Sequence, residues 1–257
     1  MAKSQIAAQL YTLRDFTSTP ADIAGTMKKV REIGYEAVQL SALGPIEPTE
    51  LKKITDGEGL IICATHISFE RMRDDPQGVI EEHNIYNCKH SAIGAMPGDS
   101  RNAEGFHTFA KEASEVAKRL VEGGLTFSYH THSFEFESAA ADGGKIGLEI
   151  LRTESDPKYF NLELDTYWVQ HGGGDPADWI RKCKGRVPLL HLKDMAFKDG
   201  QQIMAEVGEG NLNWPAILQA AEEAGVEWYL VEQDTCQRDP FESLAISLRN
   251  LRALGIR

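Results

Sequence analysis

The sequence predicts an α/β protein built as a single (β/α)₈ TIM barrel. Short apolar runs alternate with longer amphipathic stretches along the chain, and no linker rich in Pro, Gly or Ser interrupts them. Alternation of this kind is typical of βα units with parallel strands. The length of 257 residues is close to that at which eight such units close into a barrel. We therefore expect one domain over residues 1–257.

The eight predicted strands are apolar runs of five to seven residues. They cover residues 6–10, 36–40, 60–66, 91–96, 125–130, 159–165, 187–192 and 228–233. Several are followed by a helix start signal with a proline in the first turn. These signals are Thr19-Pro20, Glu47-Pro48 and Asp175-Pro176. A glycine before strands 2, 5 and 8 is typical of a helix C-cap. These glycines are Gly34, Gly124 and Gly225.

Composition excludes several classes of function. The formal net charge of -12, with no basic stripe to offset it, argues against a nucleic-acid partner. No window has the apolar length of a membrane span, and the N-terminal residues lack the apolar core of a signal peptide. The four cysteines form no C-x-x-C pair, which predicts neither a thiolate zinc site nor a disulfide framework. We expect a cytoplasmic protein.

Polar side chains concentrate at the carboxyl ends of the predicted strands, where TIM barrels carry their active sites. Burying carboxylates and imidazoles from several strands costs free energy unless a cation compensates their charge. Asp165, His191 and Glu232 stand where strands 6, 7 and 8 end, and we predict them as metal ligands. Histidine and carboxylate ligands without sulfur suit one divalent ion, Mn²⁺ first, with Zn²⁺, Co²⁺ and Mg²⁺ as alternatives.

Each of these residues taken singly also fits a structural role. Asp165 would cap the helix that follows it, and His191 would be a hydrogen-bonded core histidine. Glu232 would pair with Lys193 or an arginine. Their joint occurrence on three successive strands favours a site.

Strand 5 and the residues after it offer three further candidates. If the strand stays extended, alternation puts His130 and His132 on one face, whereas Glu135 reaches the site only if the chain turns after Thr131. We predict that one of these residues, with His130 and Glu135 as the main candidates, completes the metal ligands.

Six strings in the chain, taken in order, resemble a known family. They are residues 9–15 (QLYTLRD), 129–136 (YHTHSFEF), 164–168 (LDTYW), 191–194 (HLKD), 206–210 (EVGEG) and 231–234 (VEQD). They are similar to the xylose-isomerase-like TIM barrels known as sugar phosphate isomerases/epimerases, which are related to metal-dependent abasic-site endonucleases. The resemblance spans nearly the whole chain.

The resemblance implies one divalent cation bound by a Glu, an Asp, a His and a second Glu, with the two glutamates acting as acid and base. Asp165, His191 and Glu232 match the last three of these ligands. His130 stands where the family has its first Glu, which is a departure from the pattern. Trp168 is a second departure, because ketose epimerases often have a histidine at this position.

We therefore predict a sugar isomerase or epimerase that abstracts a proton and passes through an enediolate. Glu232 would be the base and Glu135, or a histidine of strand 5, the acid. Lys193, the third predicted catalytic residue, would donate to a substrate oxygen. The predicted substrate-binding residues are Tyr11, His66, His132 and Trp168.

Three other functions stay open at this stage. The missing first Glu favours, as the main alternative, a lyase or dehydratase acting on an oxidised glycoside or an inosose. It also raises the alternative of a non-catalytic sugar-binding barrel. An abasic-site endonuclease is disfavoured by the charge of -12 and by too few ligands for a three-metal cluster. The predicted partner is a small carbohydrate, with no nucleic acid and no membrane, and a homo-oligomer is compatible with the sequence.

Overall fold

Eight parallel strands close into a barrel in the computed structural model, which describes residues 5–137 and 144–256. Around the barrel the strand order is β1-β10-β7-β6-β5-β4-β3-β2, and β8 and β9 form a separate hairpin. The strands are β1 (Ile6–Gln9), β2 (Ala37–Leu40), β3 (Ile61–His66), β4 (His90–Ile93), β5 (Thr126–His130), β6 (Phe160–Asp165), β7 (Leu189–Leu192), β8 (Asp194–Lys198), β9 (Gln201–Ala205) and β10 (Trp228–Val231). The predicted (β/α)₈ fold is confirmed.

Helices follow the barrel strands. They are α1 (Pro20–Ile33), α2 (Pro48–Gly57), α3 (Phe69–Asp74), α4 (Pro76–Tyr86), α5 (Ala103–Glu122), α6 (Gly147–Glu154), α7 (Thr166–His171), α8 (Pro176–Lys182), α9 (Trp214–Ala224) and α10 (Pro240–Ala253). The predicted start of α1 is a capping box, in which Thr19 and Asp22 satisfy each other's backbone N–H groups. Its predicted end, Gly34, has a φ of 112°, a conformation that favours glycine. No helix of the described residues is long and apolar enough to cross a membrane.

The β8–β9 hairpin is absent from the predicted elements. Its turn is Asp199-Gly200, and both residues have positive φ angles, 51° and 79°, as a two-residue type I′ turn requires. The Asp-Gly pair was a readable hairpin signal. The residues of β8 and β9 next to this turn, Phe197 included, are exposed.

The inside of the barrel changes from apolar to polar along the strand direction. Near the amino ends of the strands it is filled by small or aliphatic side chains. These include Ala7, Ala37, Ala64, Ala92, Leu189 and Leu230. Two residues further along β1, β2 and β7 the inward side chains are Gln9, Gln39 and His191, because strand side chains alternate with a period of two. The polar layer therefore lies at the carboxyl ends of the strands.

Candidate metal centre

Four buried side chains converge at the carboxyl ends of consecutive barrel strands. His130 ends β5, Asp165 ends β6, His191 lies in β7 and Glu232 directly follows β10. Each offers one ligand atom, and these four atoms all lie within 4.8 Å of one another. The sequence-predicted ligands thus meet in one place, and strand 5 contributes His130 to the group.

Each of the two histidines in the cluster is held in orientation by a hydrogen bond from the ring nitrogen that faces away from the cluster. His130 donates its Nδ1–H to the carbonyl of Gly94 at 3.1 Å, which turns Nε2 toward Asp165 Oδ2 at 3.5 Å. His191 donates its Nε2–H to Gln39 Oε1 at 2.9 Å, and its Nδ1 lies 3.1 Å from Glu232 Oε2. Ligating histidines in proteins are commonly fixed in this way, with one nitrogen bonded outward and the other free for a metal ion.

Unsatisfied atoms in the cluster fit a cation. Within the described part of the chain, His130 Nε2 is fully buried without a hydrogen-bond partner, and buried polar atoms in this condition are uncommon in proteins. Asp165 Oδ2 is equally buried and makes no hydrogen bond there, although the Lys193 ammonium lies 3.0 Å from it. Two imidazoles and two carboxylates without sulfur form a ligand set suited to a divalent ion of the first transition row or to Mg²⁺. The cluster could therefore hold one metal ion.

Lys193 supplies a positive charge beside the two carboxylates of the cluster. Its buried Nζ lies 3.0 Å from Asp165 Oδ2 and 2.7 Å from Glu232 Oε2, and it also pairs with Asp234. Burial alone would raise the pKa values of Asp165 and Glu232, but the Lys193 ammonium and the neighbouring histidines hold both below their usual range. Both carboxylates are therefore ionised at neutral pH.

The pKa of His191 is raised by the carboxylates around it. Burial would lower its pKa, but the carboxylates of Glu163 and Glu232 outweigh burial and raise it to about 10. A cation bound by Nδ1 would replace the proton that this pKa otherwise keeps on the ring. The site thus favours positive charge next to Glu232.

A third buried carboxylate, that of Glu163, supports the cluster from below. Its Oε1 accepts a hydrogen bond from Gln39 Nε2 at 2.7 Å, and its Oε2 accepts one from His66 Nε2 at 2.6 Å. His191 Nε2 lies 3.4 Å from the same Oε2. Neither Gln39 nor Glu163 is among the residues predicted from the sequence to form the site. The signal was available for Glu163, because it lies two residues before Asp165 and so on the same face of its strand.

Glu135 lies apart from the metal cluster. It sits in a 3₁₀ turn (Phe134–Phe136), fully buried, where its carboxylate accepts hydrogen bonds from Tyr129 Oη at 2.7 Å and from the His132 N–H at 2.9 Å. Burial raises the pKa of Glu135 to about 7. Tyr129 packs against Phe109 of α5, on the outside of the barrel. The turn after Thr131 therefore directs this carboxylate to the barrel wall.

Three of the four residues predicted to bind substrate line a cavity above the cluster. The cavity has a volume of about 540 Å³, and Tyr11, His66, His132 and Glu232 are among its lining residues. Trp168 lies beside it, with its ring 5.5 Å from that of His132. Among residues 5–137 and 144–256, neither the buried Nδ1 atom of His132 nor the buried Nε1 atom of Trp168 has a hydrogen-bond partner.

Asp194 is a structural residue, although it belongs to the same HLKD string as His191 and Lys193. Its carboxylate accepts hydrogen bonds from the backbone N–H groups of Met195, Gly208, Gly210 and Leu212 and from Trp214 Nε1. A Cβ atom at Gly210 would lie 2.3 Å from this carboxylate, so the close approach requires glycine. The EVGEG string is thus the loop that folds around Asp194.

Comparisons with known proteins agree with this architecture. An inosose dehydratase of Geobacillus kaustophilus (strain HTA426) is 22% identical over 194 residues, which are 66% of this chain and 61% of that relative. The chain therefore matches less than two thirds of this relative's length. A solved sugar phosphate isomerase/epimerase from Parabacteroides distasonis superposes with a TM-score of 0.85 at 22% identity, covering 100% of this chain and 96% of the other.

A solved L-ribulose 3-epimerase superposes with a TM-score of 0.70 at 16% identity, covering 99% of this chain and 95% of that protein. At such identities the superpositions show a shared fold. The family model described as xylose isomerase-like TIM barrel matches residues 27–254. The chain therefore belongs to the xylose isomerase-like TIM barrel family.

Proposed function

We propose that this protein is a divalent-metal-dependent dehydratase that removes water from a small polyhydroxylated ketone. The observation that carries the proposal is the pairing of Glu232 with Lys193, whose Nζ lies 2.7 Å from Glu232 Oε2. Glu232 lines the cavity and the buried Lys193 ammonium lies directly beside its carboxylate, so the pair would offer a proton acceptor and a proton donor on the same side of a bound substrate. Elimination of water needs both.

The proposed reaction follows from these two groups. The Glu232 carboxylate takes the proton from the carbon next to the carbonyl group, and the electron pair of that C–H bond forms an enolate. The enolate then expels the hydroxyl group of the next carbon, which leaves as water with a proton from the Lys193 ammonium. Return of the proton from Glu232 to Lys193 restores the site. The products are an unsaturated ketone and one water molecule.

A divalent cation, Mn²⁺ in our proposal, would be held by His130, Asp165, His191 and Glu232. It would supply Lewis-acid stabilisation of the negative charge that develops on the carbonyl oxygen. Gln39 and Gly94 orient the two histidines for this role through the hydrogen bonds described above. His132 and Trp168 would bind substrate hydroxyl groups with their unpartnered ring nitrogens.

The position of Glu135 disfavours epimerisation. Inverting one carbon through an enolate requires a proton acceptor on one face and a proton donor on the other. Glu135, the carboxylate predicted for the second face, is hydrogen-bonded to Tyr129 and to the His132 backbone instead. Isomerisation of an aldose to a ketose stays the second candidate, because one base can move a proton between adjacent carbons on a single face.

Product analysis separates these candidates. The Mn²⁺-loaded protein is incubated in D₂O with an inosose and, separately, with aldoses and ketoses, and the products are identified by mass spectrometry and NMR. A dehydratase gives a product that lacks one water molecule, whereas an isomerase gives a product that retains every atom except exchanged hydrogen. Glu232→Gln should abolish turnover, and Glu135→Gln is the matched control that should retain it. A product that loses no water would contradict the proposal.

A further inference from the structure

The outer part of the cavity carries a guanidinium group without a carboxylate partner. Arg101 lines the same 540 Å³ cavity as His130, His132 and Glu232. Its contacts within the described part of the chain are a backbone carbonyl and an aromatic ring, and they include no ion pair. Arg71 and Arg73, on α3, by contrast form ion pairs. An unpaired guanidinium at a cavity wall is available to an anionic ligand.

Two contacts fix the guanidinium in place. Arg101 donates its Nε–H to the carbonyl of Met96 at 3.1 Å, and its guanidinium carbon lies 4.1 Å from the ring centroid of Phe134. The Phe134 ring in turn stacks on His132, with centroids 5.7 Å apart and an interplanar angle of 17°. These contacts leave both terminal nitrogens free. A guanidinium held in this way loses little conformational entropy when it binds a carboxylate or a phosphate.

The same loop positions Arg101 and a predicted metal ligand. The Gly94 carbonyl binds His130, and the Met96 carbonyl, two residues along, binds Arg101. Two residues of extended chain span at most about 7 Å. The carbonyl groups that anchor His130 and Arg101 are therefore no more than about 7 Å apart, and both side chains line the same cavity.

The acidic residues that line the cavity leave the Arg101 guanidinium open to an anion. Asp234 and Glu232, both in the lining, are paired with Lys193. Glu70, on the first turn of α3, is a further acidic lining residue and is exposed to solvent, where its field is screened.

We propose that Arg101 selects a substrate with an anionic group, a carboxylate or a phosphate, at the end remote from the carbons that react. This inference rests on the proposed function for the position of the reacting carbons. The binding of the anion by Arg101 is testable without turnover.

Calorimetric titration of the Mn²⁺-loaded protein with three probes tests the proposal. The probes are fructose, fructose 6-phosphate and 5-ketogluconate, which share a ketone and differ in the remote group. We expect at least one anionic probe to bind more tightly than fructose, and the tighter of the two identifies phosphate or carboxylate as the group recognised. Arg101→Gln should weaken binding of that probe roughly 10- to 100-fold, the loss of a charged hydrogen-bond pair, and leave fructose binding unchanged.

Two variants control for indirect effects. Arg101→Lys keeps the charge and should restore part of the affinity, and Arg73→Gln, which removes an arginine outside the cavity lining, should change none of the three affinities. Equal effects of Arg101→Gln on fructose and on the anionic probes, or no preference for either anion in the unmodified protein, would overturn the inference. If the anion preference depends on Arg101 but no probe loses water, the inference stands and only the proposed reaction fails.

Discussion

Replacing Lys193 by methionine should destabilise the metal-free protein strongly and the metal-loaded protein much less. The Lys193 ammonium is fully buried and pairs with Asp165, Glu232 and Asp234. Methionine fills a similar volume but leaves these carboxylates without their nearest positive charge. Removing one partner of a buried ion pair typically costs about 3–5 kcal/mol. For a chain of this length, each kcal/mol corresponds to roughly 2–4 °C in Tm, so we expect a loss on the order of 10 °C.

A bound divalent cation should offset much of this loss because it supplies positive charge to Asp165 and Glu232. Binding to the folded state alone adds about 2.7 kcal/mol of stability when the free metal concentration is 100 times Kd, and tighter binding adds more. Metal should therefore stabilise the Lys193→Met variant more than the unmodified protein. The cation and Lys193 both interact with the same two oxygen atoms, Asp165 Oδ2 and Glu232 Oε2.

Urea unfolding in EDTA and in excess Mn²⁺ measures both effects. The control is Lys182→Met, which breaks an exposed pair with Asp178 and should change the free energy of unfolding by about 0.5 kcal/mol or less. The reasoning is refuted if Lys193→Met costs the same in EDTA and in Mn²⁺, or if it costs less than about 1 kcal/mol in EDTA.

Three further predictions concern residues around the cluster. Gln39→Leu removes the acceptor that orients His191 and should weaken metal binding roughly 10- to 100-fold by calorimetry; unchanged affinity would contradict this role. Because burial raises the pKa of Glu135 to about 7 from 4.5, the folded protein keeps a proton that the unfolded chain releases, so stability falls as pH rises between these values. Glu135→Gln should remove this loss of stability, which amounts to about 3 kcal/mol. The reasoning fails if the free energy of unfolding of this variant differs from that of the unmodified protein by the same amount at every pH between 5 and 8. Asp194→Asn should cost about 2–4 kcal/mol in urea unfolding with little change in metal affinity, since this carboxylate binds backbone N–H groups and Trp214; a selective loss of metal would place it in the site instead.

The sequence by itself determined the barrel and three of the four clustered residues. Both follow from local patterns: apolar runs have the length of strands, and polar residues at their carboxyl ends must meet once parallel strands close. Asp165, His191 and Glu232 could be identified because each directly follows or ends such a run. Their alternative roles also hold in part, since Asp165 caps α7 and Glu232 pairs with Lys193.

The tertiary structure alone decided between His130 and Glu135. Periodicity puts His130 on the face of the site, whereas Glu135 needs a turn after Thr131 to reach it. The choice therefore depends on groups distant in sequence and on the path of the chain after Thr131. The Gly94 carbonyl at the end of β4 binds His130 Nδ1 and directs its other nitrogen inward. The 3₁₀ turn after β5 brings Glu135 to Tyr129 on the outer face of the barrel. A strand end specifies where a side chain begins, whereas hydrogen bonds from neighbouring strands decide which of its atoms face the cavity.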